Sequence, residues 1–237
     1  MRAFGFPRFL LLLLAGILAG VLGYLLLFHG QELWLNLMIQ QRLTDRGDEL
    51  VYVPGGATAD NNVPLVFALS PSADAYSMII KWQAVAEKHS WIVAASKTSK
   101  NGVDFDILLP QIEAEIKDVL ANYPVDPQRI ILTGMSGGGM AAYWVAAAYP
   151  SQAWALVINT GMMYDASGGA TMRGPYPHNK IAVMLASPTD FRYHEMQRDR
   201  DFLIASGWAV QWIEFDGGHV MAPDSVYEQA ASWLESR

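Results

Sequence analysis

The chain has 237 residues, 52% hydrophobic and 16% charged, with a formal net charge of −7 and no cysteine. That composition excludes a disulfide scaffold, a lipid-modified cysteine and a nucleic-acid surface built on bulk positive charge, and it suits one α/β domain with an appendage. Setting aside Arg2 and Arg8 lowers the 16 basic residues to 14 against 23 acidic ones, a net of −9 that serves solubility and disfavours attraction to anionic lipid.

Residues 9–28 form an uncharged apolar run of 20 residues, about 30 Å long as a helix, which matches a bilayer core. Arg2 and Arg8 precede it and the first acidic residue is Glu32. This asymmetry predicts a cytoplasmic N-terminus and an extracytoplasmic body. A cleaved signal peptide, giving a secreted protein, is the rival reading. No A-x-A site follows, however, and the stretch from Tyr24 to Phe28 prolongs the apolar run, so an uncleaved signal anchor over 1–30 is expected. Gly16 and Gly20 form a G-x-x-x-G pattern through which two such helices could pair. Residues 31–49 place Leu33, Trp34, Leu37, Met38 and Ile39 at helical spacing, predicting an amphipathic juxtamembrane segment before a catalytic domain over 50–237.

From residue 50 the text alternates. Strands are predicted at 50–53 and 64–69, a helix at 75–89, a buried strand at 91–95 and an amphipathic helix at 105–123. A strand at 130–132 runs into Gly134-Met135-Ser136-Gly137-Gly138 and a helix at 140–149. Strands at 154–158 and 181–186, a helix at 196–206, a strand at 208–215 and a closing helix at 223–234 complete the order. Such alternation specifies an α/β fold, a mostly parallel sheet with helices on both faces.

The stretch from Gly134 to Gly138 is a G-x-S-x-G sequence in the context of strand, tight turn and helix. This arrangement presents a serine hydroxyl at the carboxyl edge of a sheet, near the positive end of a helix dipole. A hydroxyl is a weak nucleophile and needs a base oriented by a third group. Asp190 follows the strand at 181–186, and His219 follows the strand at 208–215 in Gly217-Gly218-His219, so the order is Ser, Asp, His at carboxyl ends of strands. Asp165, Asp216 and Glu195 are the other acids weighed for the middle position. Of the remaining histidines, His29 borders the apolar run, His89 precedes the nucleophile, His178 precedes the acid, and His194 shares the acid's own loop. The oxyanion hole calls for the amide of Gly137 and a second amide from the loop Leu69 to Ala73. Pro71 has no N–H, which leaves Ser72 first and Ala73 next.

On the run from Val125 to Ala142, on Asp190 and on Gly217-Gly218-His219, the chain resembles the α/β-hydrolase superfamily. It is most similar to its polyhydroxybutyrate depolymerase-like and feruloyl-esterase-like esterases, over about residues 50–233. Two departures stand out. Ser70-Pro71 occupies the place where that branch commonly has His-Gly, and no polymer-binding domain accompanies the body, so attack on solid polyester is not expected. The resemblance implies hydrolysis of a small or lipid-like ester through an acyl-enzyme on Ser136, with no metal or cofactor. Peptidase or acyltransferase chemistry on the same residues, or an inactive hydrolase fold acting as a binding module, are the alternatives. The connector 161–180, with Met162, Met163, Tyr164, Met172 and Tyr176, is a candidate cap over an apolar acyl pocket.

Overall fold

The computed structural model describes residues 16–18, 20–21, 39–163 and 176–237. It divides into two units, Met1–Arg42 and Leu43–Arg237. In the first, residues 16–18 and 20–21 are helical, with Ile17, Leu18 and Val21 exposed, and residues 39–42 are helical as well. Among the described residues no helix is long and apolar enough to cross a membrane. Apart from those five positions the apolar run 9–28 lies outside the described residues, and so do 31–38.

The second unit is one eight-stranded sheet in the order β1-β2-β4-β3-β5-β6-β7-β8. The strands are β1 (Leu43–Asp45), β2 (Glu49–Tyr52), β3 (Val63–Leu69), β4 (Ile92–Ser96), β5 (Val125–Met135), β6 (Ala155–Asn159), β7 (Ile181–Ala186) and β8 (Ala209–Glu214). The first two pair antiparallel, β2 joins β4 antiparallel, and every later pairing is parallel. The sheet therefore starts at Leu43, inside the segment expected to be juxtamembrane (31–49). A tight turn explains it: Gly47, at φ 98°, donates its N–H to Asp45 Oδ1 and lets a three-residue edge strand fold back on β2.

Among the described residues, five α-helices cover the sheet: α1 (Ala75–His89), α2 (Phe105–Asn122), α3 (Gly137–Ala148), α4 (Tyr193–Ala205) and α5 (Asp224–Glu235). Alternation along the strands decides which helix meets which residue. Leu65, Phe67 and Leu69 of β3 share a core with Leu108, Ile112 and Ile116 of α2, Ala142 and Val145 of α3, and Met196 and Leu203 of α4. On the opposite face α1 packs on α5, where Trp82 meets Tyr227 edge-on with ring centroids 5.0 Å apart. Local chemistry sets the helix ends. Asp74 caps α1 by accepting from the Ser77 N–H, and Asp104 caps α2 by accepting from the Asp106 N–H.

Asp126-Pro127, which reads as punctuation ahead of a strand, falls inside β5. The ladder with β3 jumps from the Val63–Val125 pair to the Leu65–Ile130 pair, so residues 126–129 bulge out. Pro127 has no N–H for the ladder, and Asp126 Oδ1 takes the Gln128 N–H instead. Beyond the bulge β5 runs straight to the turn that carries Ser136.

Candidate active site

Three strand ends meet at one place. Ser136 sits between β5 and α3 with φ 54° and ψ −119°, a backbone conformation that side chains with a Cβ rarely adopt. Its neighbours make the turn feasible. A Cβ on Gly134 would lie 2.3 Å from the Gly138 carbonyl carbon, and one on Gly138 would lie 2.0 Å from the Leu69 carbonyl oxygen. Both contacts are with backbone, so neither glycine tolerates a side chain without moving the strand or the helix. The Ser136 N–H is tied to the Asn159 carbonyl of β6 at 3.0 Å, and Ser136 in turn accepts the first helical bond, from Met140, at 3.0 Å.

His219 stands between Ser136 and Asp190. Its Nε2 lies 2.8 Å from Ser136 Oγ and its Nδ1 lies 2.9 Å from Asp190 Oδ2. A single tautomer serves both contacts: Nδ1–H donates to the carboxylate while Nε2 accepts from the hydroxyl. The Asp190 side chain is 0% exposed against 25% for His219, so the carboxylate is shielded and the imidazole is open to an incoming molecule. Asp190 Oδ1 is satisfied by the Arg192 N–H at 2.7 Å. The two glycines before His219 have φ 143° and 73°, which bend the loop back toward the sheet, and the Gly218 N–H donates to Ser187 Oγ at 2.9 Å. Phe191 lies beside the imidazole, with ring centroids 4.5 Å apart.

Of the other acids weighed, Asp165 lies outside the described residues. Asp216 makes no bond to His219, and Glu195 lies in the first turn of α4. His178 bonds the Ser206 carbonyl, His194 bonds Gln197, and His89 lies between Glu228 and Glu235, so none of the three joins the site. His29 is outside the described residues.

The two amides expected at an oxyanion hole fare differently. Gly137 opens α3, where the first-turn N–H groups have no acceptor within the helix. The Ser72 N–H is instead engaged by Ser70 Oγ at 3.2 Å, and Ser72, itself not part of the cavity lining, forms a β-bridge with Lys100, which is. Ala73 donates to the Ser99 carbonyl. The reason lies in Ser70-Pro71: the proline cannot donate, and the preceding serine hydroxyl collects the amides of both Ser72 and Asp74. Beside Gly137 stands a residue that the sequence did not single out. The carboxamide of Asn101 fills the space where a residue-137 Cβ would lie, with Oδ1 1.8 Å from that point and Nδ2 3.2 Å. Among the described residues this carboxamide has no hydrogen-bond partner, so it is free to turn either end toward the site.

A cavity of about 640 Å³ opens at Ser136. Its walls include Asn101, Phe105, Met140, Met162 and Arg192. Of the connector expected to form a cap, residues 164–175, with Tyr164 and Met172, lie outside the described residues. Met162 reaches the cavity, whereas Tyr176 packs on Trp208, with ring centroids 5.5 Å apart. Among the described residues no cluster of side chains fits a metal ion.

Asn159 also escaped the sequence reading. It is fully buried at the end of β6 and joins the two halves of the site. Nδ2 donates to the Val220 carbonyl, and Oδ1 accepts from the Ala222 N–H and the Tyr227 hydroxyl, while its own carbonyl holds the Ser136 N–H. One signal was available: a single carboxamide ending the otherwise apolar Ala-Leu-Val-Ile-Asn strand.

No protein-family model matches the chain, and no curated protein matches it. Solved structures do. A thermostable esterase superposes with a TM-score of 0.61 at 19% identity over 84% of this chain, which spans 64% of that protein's length. Esterase PE8 gives a TM-score of 0.61 at 16% identity, covering 82% of this chain and 99% of the other. FphF, a fluorophosphonate-binding serine hydrolase of Staphylococcus aureus, gives 0.57 at 13% identity, covering 78% and 91%. At such identities the likeness shows the fold. The second unit has the α/β-hydrolase fold, and its structural neighbours are esterases and serine hydrolases.

Proposed function

We propose that this protein is a serine hydrolase that cleaves a carboxylic ester through Ser136, His219 and Asp190. The observation that carries the reading is the continuous chain Ser136 Oγ, His219 Nε2, His219 Nδ1, Asp190 Oδ2, with contacts of 2.8 and 2.9 Å at the mouth of a cavity. Ser136 Oγ attacks the ester carbonyl as its proton passes to His219 Nε2, and the buried Asp190 carboxylate stabilises the imidazolium that forms. Collapse of the tetrahedral adduct expels the alcohol, which takes the proton from His219. Water, deprotonated by the same nitrogen, then releases the acid and regenerates Ser136. The Gly137 amide supports the developing oxyanion. The Asn101 carboxamide, packed against Gly137 and otherwise unpartnered, is the second donor in place of Ser72. The chemistry needs no cofactor or metal.

Ester hydrolysis is preferred to amide cleavage or acyl transfer because the structural neighbours are esterases and serine hydrolases. The uncharged run 9–28 behind Arg2 and Arg8 supports an extracytoplasmic enzyme held at a membrane. A periplasm-only reporter fused after Arg237 would test that location; activity solely in cytoplasmic fusions would refute it.

The decisive experiment exposes the full chain, solubilised in detergent, to a fluorophosphonate probe and to p-nitrophenyl esters of graded length. Labelling and turnover that both vanish in Ser136→Ala are expected. A folded protein that neither labels nor hydrolyses any ester would defeat the proposal.

A further inference from the structure

Arg192 differs from Arg46 and Arg200, and it is the arginine that lines the cavity at Ser136. Arg46 has its fork filled by Asp118, with Nε and Nη2 donating at 2.8 and 2.9 Å, and Arg200 donates to Asp201 at 2.9 Å. Arg192 has its side chain only 24% exposed and, among the described residues, makes no hydrogen bond through its guanidinium. Its nearest carboxylate, Glu195 Oε1, is 4.0 Å from Nη1, beyond hydrogen-bond range, and lies equally far from Arg198 Nη2. The head group rests over the Phe191 ring, 4.9 Å from its centre, and Phe191 leans on His219. Arg192 also lines the cavity that opens at Ser136. A partly shielded guanidinium whose donors no protein group takes can offer its planar fork to a bound molecule.

The surroundings favour an anion. Lys100 lines the same cavity, and the N-termini of α2 and α3, at Phe105 and Gly137, open onto it with their positive dipole ends. The carboxylate in the lining, Asp104, is occupied as the cap of α2. The net charge of −7 does not oppose this at short range, because salt screens distant charges beyond about 8 Å. The loop also places Arg192 with care: its N–H holds Asp190 Oδ1, so one short segment positions the acid, the aromatic wall and the cation together.

We propose that the ester processed at Ser136 carries a carboxylate, on its acyl chain or on its alcohol, and that the Arg192 guanidinium binds it as a bidentate pair. This rests on the serine-hydrolase reading above. The planar fork of arginine matches a carboxylate with two parallel N–H···O bonds, a geometry that lysine cannot reproduce.

The test uses the full chain in detergent and two matched pairs of esters. On the acyl side, p-nitrophenyl monoadipate is compared with its neutral methyl ester. On the alcohol side, p-carboxyphenyl butyrate is compared with its neutral methyl ester. The wild type should prefer the acid over the neutral partner by about ten- to hundredfold in kcat/KM in one pair, mainly through KM, which tells which side bears the charge. That ratio should fall to about one in Arg192→Gln, survive in part in Arg192→Lys, and shrink in high salt. Circular dichroism and thermal melting check that each variant is folded. A ratio near or below one in both pairs, with Ser136 still labelled and neutral esters still turned over, overturns the carboxylate inference and leaves the hydrolase reading intact. A preference that persists in Arg192→Gln refutes the role of Arg192. Absence of both labelling and turnover with every ester sinks the two together.

Discussion

On the triad side of the cavity the polar groups are tied to partners. His219 is held at both ring nitrogens, Asp190 takes the Arg192 amide as well as the imidazole, and the Asn159 side chain holds the Val220 carbonyl, the Ala222 amide and the Tyr227 hydroxyl. The rim formed by the loop after β4 and by the end of the 187–192 loop is built the opposite way. The Asn101 carboxamide and the Arg192 guanidinium face the cavity without a hydrogen-bond partner among the described residues. The first arrangement holds the atoms of the proposed triad in place, which is where an enzyme gains most. The second leaves donors that no protein group engages, open to solvent at the cavity. Engaged and unengaged polar groups are thus segregated on neighbouring loops of one sheet edge, as the proposed chemistry and the proposed binding require.

Substitutions should separate the two sides. Ser136→Ala or His219→Ala should lower kcat/KM by about 10⁴- to 10⁶-fold with the thermal transition retained, as read by ester hydrolysis and melting. Asp190→Asn keeps the shape but permits the wrong tautomer, and should cost about 10³- to 10⁴-fold in kcat. Asn159→Ala breaks the link between the two halves of the site. It should lose about 2–4 kcal/mol of stability in urea unfolding, and kcat should fall more than KM rises. On the unpartnered rim the losses are smaller: Asn101→Ala should lower kcat by about 10- to 100-fold without destabilising the fold, whereas a change confined to KM would deny it a place at the oxyanion.

The smallest effect sits beneath the site. Asp199 is 1% exposed and accepts the Met163 N–H at 2.8 Å, but among the described residues its other oxygen has no hydrogen-bond partner, and burial raises its pKa from 3.8 to about 7. Burial likewise raises Glu115 to about 7. For such groups the folded state keeps a proton that the unfolded chain has released. Their stabilising contribution is complete below about pH 4, declines up to about pH 7 and is flat above it. Tm should therefore be higher near pH 5 than near pH 8, and Asp199→Asn should flatten that slope while raising Tm at the upper end. An unchanged slope would mean that Asp199 is ionised in the folded protein.

Much of the outline was legible in the chain. Strand–helix alternation announced a parallel sheet, and the geometry brought Ser136, Asp190 and His219 together from three loops more than 20 residues apart. What the chain did not show was local. The antiparallel edge at Leu43–Asp45 was hidden because a three-residue strand has too few alternations to read, and the amide of Ser72 was assigned without knowing that Ser70 Oγ would claim it.

The sequence by itself determined the elements, their order and the placing of Ser136, Asp190 and His219 after successive strands, because hydrophobic periodicity and glycines at a strained turn are chemical properties of neighbouring residues. Tertiary structure alone decided that Asn101 lies against Gly137, that Asn159 couples two loops, and that Arg192 lines the cavity with no guanidinium hydrogen bond among the described residues. Each of these depends on which strand ends the parallel sheet sets side by side, a relation between residues distant in the chain that no local pattern encodes.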